Sequence, residues 1–527
     1  INDTPTIAEL NAIAGGTTGT TTAAVSGNKA DLATLTTAST DAVTMTVTDA
    51  VTVAEFNTLD GKTNVGVILT GGVSDAAAAY AATNGTATAG RTAIAAQDGD
   101  AALTVTDAAT VAQANSVATA TTGTVVYSGG ITDSAANLMN VGSSAISTGL
   151  STAKTEDGDV VITASTAVTV AQFNLLDAAT SSAIVLSGGI SDTAANLAPG
   201  GTASSGLTNS TTQDGDVAIT ITGTAPTVAE LNKIASLTTG AVTASISGNK
   251  TTLAGLNTAS TDAVTMTVTD AVTVAEFNTL DGKTNVGVIL TGGVSDAAAA
   301  YAATNGTATA GRTAIAAQDG DAALTVTDAA TVAQANSVAT ATTGTVVYSG
   351  GITDSAANLM NVGSSAISTG LSTAKTEDGD VVITASTAVT VAQFNLLDAA
   401  TSSAIVLSGG ISDTAANLAP GGTASSGLTN STTQDGDVAI TITGTAPTVA
   451  ELNKIASLTT GTVANKKYSF TEVMDAVFTT SSFPMSEFNA SFALNTVSDK
   501  YTQTSSTTYV APDVSFNDGA VITAETL

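Results

Sequence analysis

The sequence predicts a repeat solenoid in which strands alternate with short helices, and three observations lead to this prediction. Residues 37–240 recur without a change as residues 258–461, at an offset of 221. Each long copy contains a shorter, degenerate period of 57 to 59 residues, and one helix-start signature recurs in each short period. Periods of this size are typical of arrays in which each unit packs mainly on its neighbours. The short units start near Asp41, Asp98, Asp157 and Asp214.

The repeats divide the chain into four regions. The first long copy covers residues 1–225, the second covers 226–446, a third copy starts at 447–461, and a diverged segment covers 462–527. We expect the last segment to cap the array or to form an assembly contact, because terminal repeats must cover an otherwise open core. It holds nine of the 17 Phe and Tyr residues: Tyr468, Phe470, Phe478, Phe483, Phe488, Phe492, Tyr501, Tyr509 and Phe516.

The third short unit shows how each strand and helix is predicted. Residues 157–165 form a turn and a β-branched run, which is typical of a strand. Thr169 then starts a helix as its N-cap, with Gln172 completing a capping box. The core-facing aromatic residues of this helix type are Phe56 and Phe173. The same box recurs at Thr6/Glu9, Thr52/Glu55, Thr110/Gln113 and Thr227/Glu230.

The rest of the unit predicts a second strand and a second short helix. Residues 181–187 are apolar and end at Gly188-Gly189, and Asp192 is expected to N-cap a helix over 191–197, as Asp75 and Asp133 would in their units. A Gly/Ser/Thr-rich segment without predicted structure leads to the next unit. Strand-helix alternation favours parallel strands, so stacked units would form an elongated array. The alternative is a string of small β-rich beads. The recurring Asn57, Asn115, Asn174 and Asn232 are either a ladder between coils or helix-end residues.

Composition excludes most catalytic and binding chemistry. The chain has no Cys, His or Trp, so thiolate, imidazole and soft-metal sites are absent. We therefore expect that the protein is not an enzyme. Its 13 Lys and Arg against 44 Asp and Glu give a net charge of −31, which repels nucleic acid and anionic lipid. No apolar run is long enough to insert into a membrane.

The Asp-Gly-Asp motif is the candidate metal site. Closely spaced carboxylates repel one another, and Ca²⁺ prefers oxygen ligands, so coordination would relieve the repulsion. The other interpretation is an ordinary turn before a strand, in which the Asp side chains accept hydrogen bonds from nearby backbone N–H groups. The motif residues are Asp98, Asp100, Asp157, Asp159, Asp214, Asp216, Asp319, Asp321, Asp378, Asp380, Asp435 and Asp437.

The two ends of the chain predict a partner. Residues 518–527 resemble the strand that opens a short unit, and residues 1–11 resemble the helix that should follow it. Joined tail to head, Asp518–Leu527 and Ile1–Asn11 would complete one unit. We therefore expect either head-to-tail contact between copies of the chain, which generates an open filament or lattice, or a chain that continues in a longer protein.

Three recurring motifs carry a resemblance to a known class of proteins. Thr-Val-Ala-Gln-Phe-Asn, Ser-Gly-Gly-Ile-Ser-Asp-Thr-Ala-Ala-Asn-Leu and Asp-Gly-Asp-Val-x-Ile-Thr resemble repeats of giant bacterial cell-surface proteins of the cyanobacterial and S-layer-like type, over roughly residues 1–461. The resemblance implies secretion, an extracellular surface location, frequent calcium dependence and a role in coats, fibres or adhesion. We expect a structural protein that assembles end to end, or alternatively an adhesin arm that contacts cell-surface polysaccharide.

Overall fold

The computed structural model describes Ile1, residues 4–445 and residues 447–464, and of the rest only four short strands. These residues divide into two compact units. The first unit consists of Ile1–Met266 and Gly282–Val286, and the second consists of Thr267–Asp281 and the described residues from Gly287 onward. The division lies inside the second long copy of the sequence.

Short helices and shorter strands alternate through both units. The helices are α1 (Ile7–Gly15), α2 (Lys29–Leu32), α3 (Val53–Asp60), α4 (Ala77–Tyr80), α5 (Ala89–Gln97), α6 (Val111–Ala118), α7 (Ala135–Leu138), α8 (Thr148–Glu156), α9 (Val170–Asp177), α10 (Ala194–Leu197), α11 (Ser205–Gln213), α12 (Val228–Ala235), α13 (Lys250–Ala254), α14 (Val274–Asp281), α15 (Ala298–Tyr301), α16 (Ala310–Gln318), α17 (Val332–Ala339), α18 (Ala356–Leu359), α19 (Thr369–Glu377), α20 (Val391–Asp398), α21 (Ala415–Leu418), α22 (Ser426–Gln434) and α23 (Val449–Ala456).

The strands are β1 (Thr22–Gly27), β2 (Ala42–Val47), β3 (Val67–Leu69), β4 (Val73–Asp75), β5 (Leu103–Val105), β6 (Val125–Tyr127), β7 (Ile131–Asp133), β8 (Ile162–Ala164), β9 (Ile184–Val185), β10 (Ile190–Thr193), β11 (Ile219–Thr222), β12 (Val242–Gly248), β13 (Ala263–Val268), β14 (Val288–Leu290), β15 (Val294–Asp296), β16 (Leu324–Val326), β17 (Val346–Tyr348), β18 (Ile352–Asp354), β19 (Ile383–Ala385), β20 (Ile405–Val406), β21 (Ile411–Thr414), β22 (Ile440–Thr443), β23 (Val463–Ala464), β24 (Thr502–Ser505), β25 (Thr508–Val510), β26 (Val514–Ser515) and β27 (Val521–Ile522).

The strands of the repeats form small parallel sheets. The first unit contains the sheets β1-β2-β3, β4-β5-β6 and β7-β8-β9, and a further sheet begins β10-β11-β12. In β7-β8-β9, Ile131, Ile162 and Ile184 lie in register and are all buried. The second unit repeats the pattern in β15-β16-β17, β18-β19-β20 and β21-β22-β23. The predicted alternation of parallel strands and short helices is therefore confirmed.

The strands β24 to β27 pair differently from those of the repeats. β24 pairs antiparallel with β25, and β26 pairs antiparallel with β27. Val521 and Ile522 of β27 belong to the predicted end-completing strand, and they pair with Val514–Ser515. The remaining residues of Asp518–Leu527 and the aromatic side chains predicted to cap the array lie outside the described residues.

The predicted capping boxes form at all five positions. In α9, Thr169 accepts a hydrogen bond from the Gln172 N–H, and the Gln172 side chain accepts one from the Thr169 N–H. The spacing of Val170, Phe173 and Leu176 puts all three on the buried face of the helix. Phe56 of α3 is equally buried. The interpretation of both Phe residues as core is confirmed.

Each short unit contains one helix that the sequence analysis did not predict. The Gly/Ser/Thr-rich segment after α10 contains α11, and α5 and α8 stand at the same place in their units. Only Leu207 and small residues of α11 are buried, so the segment has no wide apolar stripe to reveal it. Its hydroxyls bond the helix's own carbonyls, as Thr211 Oγ1 does to Leu207 O at 3.0 Å. That pattern satisfies side chains that otherwise disfavour helix.

The Gly188-Gly189 turn moves the chain from one sheet to the next. β9 before the turn pairs with β8, whereas β10 after it pairs with β11 and is bridged by Val168. A Cβ on Gly188 would lie 2.1 Å from the carbonyl carbon of Thr166, so the two backbones approach too closely for any side chain. Gly189 has φ +78°, a conformation that favours glycine.

Gly206→Ala should reduce stability, because a Cβ there would lie 2.3 Å from Val170 Cγ1 and force α11 away from α9. We expect a loss of about 1–3 kcal/mol in the free energy of unfolding, measured by urea titration. The matched control is Gly158→Ala, whose new Cβ would meet nothing nearer than 3.9 Å. Equal stability of the two variants would contradict this packing argument.

Candidate functional site: aspartates between repeats

The first aspartate of every Asp-Gly-Asp motif accepts a hydrogen bond from the last residue of a strand in the preceding short unit, or from the residue directly after that strand. It is the C-cap residue of the helix before it, as Asp157 is for α8, and this places its side chain beside that strand. The carboxylate-to-N–H pairs are Asp98 with Leu69 (2.5 Å), Asp157 with Tyr127 (2.7 Å), Asp214 with Leu186 (2.8 Å), Asp319 with Leu290 (2.5 Å), Asp378 with Tyr348 (2.7 Å) and Asp435 with Leu407 (3.0 Å).

These bonds close the edge of each small sheet. β3 and β6 are the last strands of their sheets, and Leu69 and Tyr127 are their last residues. The carboxylate therefore takes the place of the acceptor that a further strand would supply. The turn interpretation of Asp-Gly-Asp expected hydrogen bonds from nearby backbone N–H groups, and the first aspartate does accept a backbone N–H. The N–H group, however, lies about 30 residues away, where turn chemistry could not have located it.

The second aspartate of each motif is exposed and lies close to the first. Burial raises the pKa of the first carboxyl, the hydrogen bond from the strand N–H lowers it, and the second carboxylate raises it again. The first carboxyls with a raised pKa are Asp98, Asp157, Asp214, Asp319 and Asp378. The exposed partners are Asp100, Asp159, Asp216, Asp321, Asp380 and Asp437.

A second set of aspartates caps helices that begin earlier in the same short unit. The prediction that Asp75, Asp133 and Asp192 N-cap the helices directly after them is wrong. The N-caps of those helices, α4, α7 and α10, are Ala76, Ser134 and Thr193. Each carboxylate instead accepts the N–H of the first residue of the helix 22 positions earlier. The pairs are Asp75 with Val53 (2.9 Å), Asp133 with Val111 (3.0 Å) and Asp192 with Val170 (3.1 Å).

The same kind of contact occurs at other helices of the first compact unit and in the second compact unit. Asp49 accepts the N–H of Lys29 at the start of α2, and Asp107 accepts that of Ala77 at the start of α4. In the second unit the corresponding pairs are Asp296 with Val274, Asp328 with Ala298, Asp354 with Val332 and Asp413 with Val391. A carboxylate near a helix N-terminus also interacts favourably with the helix dipole.

The four recurring asparagines do not act as one ladder. Asn232 bonds the next coil, because its Nδ2 donates to Gly255 O at 2.8 Å and its Oδ1 accepts the Asn257 N–H at 2.6 Å. Asn57 and Asn174 instead place their amides against the glycines of the neighbouring helices, Gly90 and Gly206. Asn115 makes neither contact.

The motif residues only partly fit a calcium ion. Calcium takes about six to eight oxygen ligands. Each motif brings together two carboxylates, one oxygen of which already accepts a strand N–H. Within the described part of the chain, no three Asp or Glu residues come together as a possible metal site. The pair suits an ion that keeps most of its water, and calcium binding stays a prediction.

Comparison of the chain with family models, with curated proteins and with solved structures finds no match in any of the three. The resemblance to S-layer-like repeats therefore also stays a prediction. Among the described residues, no helix has both the length and the apolar character needed to span a membrane.

Asp157→Ala and Asp157→Asn should differ sharply in stability. Alanine leaves the buried Tyr127 N–H without an acceptor, so we expect a loss of about 1–3 kcal/mol in the free energy of unfolding at pH 7. Asparagine keeps an acceptor oxygen and removes a charge next to Asp159, so its cost should be small. Urea titration of both variants measures this, and an equal loss would show that the charge, not the hydrogen bond, matters.

Asp159→Asn should stabilise the protein at pH 7 and lose this advantage in acid. A pKa raised on folding means that the native state binds the proton more tightly, so the contribution of Asp157 to stability grows as pH falls through that pKa and is lost as pH rises. Removing the neighbouring charge relieves the repulsion only while Asp157 is ionised. Urea titrations of both proteins between pH 7 and acid measure the difference, and an advantage that grows in acid would contradict this assignment.

Proposed function

We propose that the protein is a structural, extracellular repeat protein rather than an enzyme, and that it assembles end to end into a surface filament or an S-layer-like coat. The observation that supports this most is the repetition of one contact. In both long copies, the first aspartate of an Asp-Gly-Asp motif supplies a carboxylate oxygen to a backbone N–H group of the short unit before it. Such contacts let an array grow by copying, whereas an active site needs one asymmetric set of residues.

We also propose that the repeats stack into an elongated solenoid. Small parallel sheets of the repeats pass to the next sheet through a glycine turn, and aspartates 22 to 30 residues further along the chain cap the first N–H of helices such as α4 and α9. Contacts of this kind link neighbours in sequence, as expected for stacked coils. Assembly would join Ile1–Asn11 of one copy to Asp518–Leu527 of another, and this part of the proposal rests on the similarity of the two segments to the halves of one unit.

Calcium would act in this assembly at the Asp-Gly-Asp motifs. The exposed second carboxylates and the net charge of −31 make close approach of two copies unfavourable without a counterion. A divalent cation held by such pairs would reduce the repulsion.

An adhesin arm is the second candidate function. A groove between helices, found at equivalent positions of both compact units, favours it because it offers a binding surface that a purely structural array does not need. In this case the protein would stay a dispersed rod that contacts surface polysaccharide.

Negative-stain electron microscopy of the full chain, in millimolar calcium and in chelator, tests the first proposal. We expect filaments or sheets in calcium that come apart in chelator. Deletion of Asp518–Leu527 should leave single particles in both conditions. Assemblies that ignore chelator would remove the metal from the proposal, assembly of the truncated chain would overturn the end contact, and isolated rods throughout would favour the adhesin arm.

A further inference from the structure

The second short unit differs from its neighbours at one core position. Ala114 of α6 stands where α3 has Phe56 and α9 has Phe173. The Tyr127 hydroxyl reaches this place and donates to the Ala114 carbonyl at 2.6 Å. With the large side chain gone, α6 is more deeply covered than α3 or α9, and Gln113, Ser116 and Ala118 are buried along with its apolar residues.

The asparagine after Ala114 is also placed differently. Around Gly90 and Gly206, the nearest atoms include the amide groups of Asn57 and Asn174, at 2.8 to 3.2 Å from an added Cβ. Around Gly149, the nearest atom of Asn115 is its Cβ, at 3.3 Å. The amide of Asn115 is therefore farther from the glycine of its neighbouring helix than the amides of Asn57 and Asn174 are from theirs. Asn115 is half-buried whereas Asn57 and Asn174 are exposed, and none of these three amides makes a hydrogen bond within the described residues.

Asn115 lines a groove between α6 and the start of α8. It has a volume of about 410 Å³ in the first unit and about 570 Å³ in the second, and the same ten positions line both copies. These volumes lie in the range of small-molecule sites. The polar residues of the first groove are Thr83, Asn84, Thr110, Asn115, Asp133, Asn137 and Ser147.

We propose that this groove binds an uncharged, hydroxyl-rich ligand, namely a neutral saccharide. Amide and hydroxyl side chains both donate and accept hydrogen bonds, which suits sugar hydroxyls. The one carboxylate, Asp133, already accepts the N–H groups of Val111 and Ser134 and the amide of Asn137, so it needs no cation.

The charge of the surroundings disfavours anionic ligands. Neither groove is lined by Lys or Arg, and the net charge of −31 repels anionic sugars and phosphates. No aromatic side chain lines either groove, so each site lacks a stacking surface and binds weakly. Two identical sites on one chain raise the apparent affinity for a polymer that can reach both.

The proposal goes beyond the structural role and does not depend on self-assembly. The test is saturation-transfer NMR of the full chain with neutral trisaccharides of glucose, galactose, mannose and N-acetylglucosamine, and with a glucuronate oligosaccharide as the anionic probe. At least one neutral probe should receive saturation, and the anionic probe should not. Asn115→Ala combined with Asn336→Ala should weaken binding about 3- to 10-fold, the effect of one neutral hydrogen bond.

The matched control is Asn57→Ala combined with Asn278→Ala, at the same helix position of the first short unit, and it should bind as the wild type does. Because the Asn115 side chain makes no hydrogen bond within the described residues, the test variant should also unfold at the wild-type temperature. Absence of saturation transfer to every neutral probe, equal binding of the anionic probe, or unchanged affinity of the Asn115/Asn336 variant would each overturn the proposal. Failure to form filaments would leave it standing.

Discussion

Hydrogen bonds from backbone N–H groups to aspartates of the following repeat are the interaction on which the rest of the array depends. Helices of four to nine residues and strands of two to seven have many end groups relative to their length. Few of those groups find partners inside their own element. At α9, the N-cap Thr169 accepts the third helical N–H, and Asp192, 22 residues further along the chain, accepts the first. At the end of β6, Tyr127 donates its N–H to Asp157 of the next short unit, so each short unit helps to complete the one before it.

The same interaction explains how a chain with a net charge of −31 can fold with so few cations. The carboxylates lie against N–H groups at helix starts and sheet edges, where positive ends of peptide dipoles stabilise them. The Asp-Gly-Asp pairs are the exception, since the second carboxylate opposes ionisation of the first. They are the places where acid or a cation should act on the structure.

Small side chains make this close stacking possible, and they also limit what the protein can do. Gly188 and Gly206 stand where a neighbouring backbone or helix leaves no room for a Cβ. The resulting surface is rich in Thr, Ser and Asn and carries few reactive groups, which agrees with a scaffold. The groove lined by Asn115 is a place on this surface where a half-buried amide makes no hydrogen bond within the described residues, and it is where we propose that a ligand binds.

The sequence by itself determined the repeat, the parallel strand-helix alternation, the five capping boxes and the buried positions of Phe56 and Phe173. These features follow from local spacing and from the identity of residues a few positions apart. Only the tertiary structure decided which N–H group each aspartate serves, because Asp133 and Asp157 reach residues 22 and 30 positions earlier. It also decided that α11 is a helix, since a segment of Ser, Thr and Gly shows no apolar stripe and is held by packing on α9. The position of the Asn115 side chain was likewise decided by tertiary structure, because it depends on how α6 and α8 pack against each other.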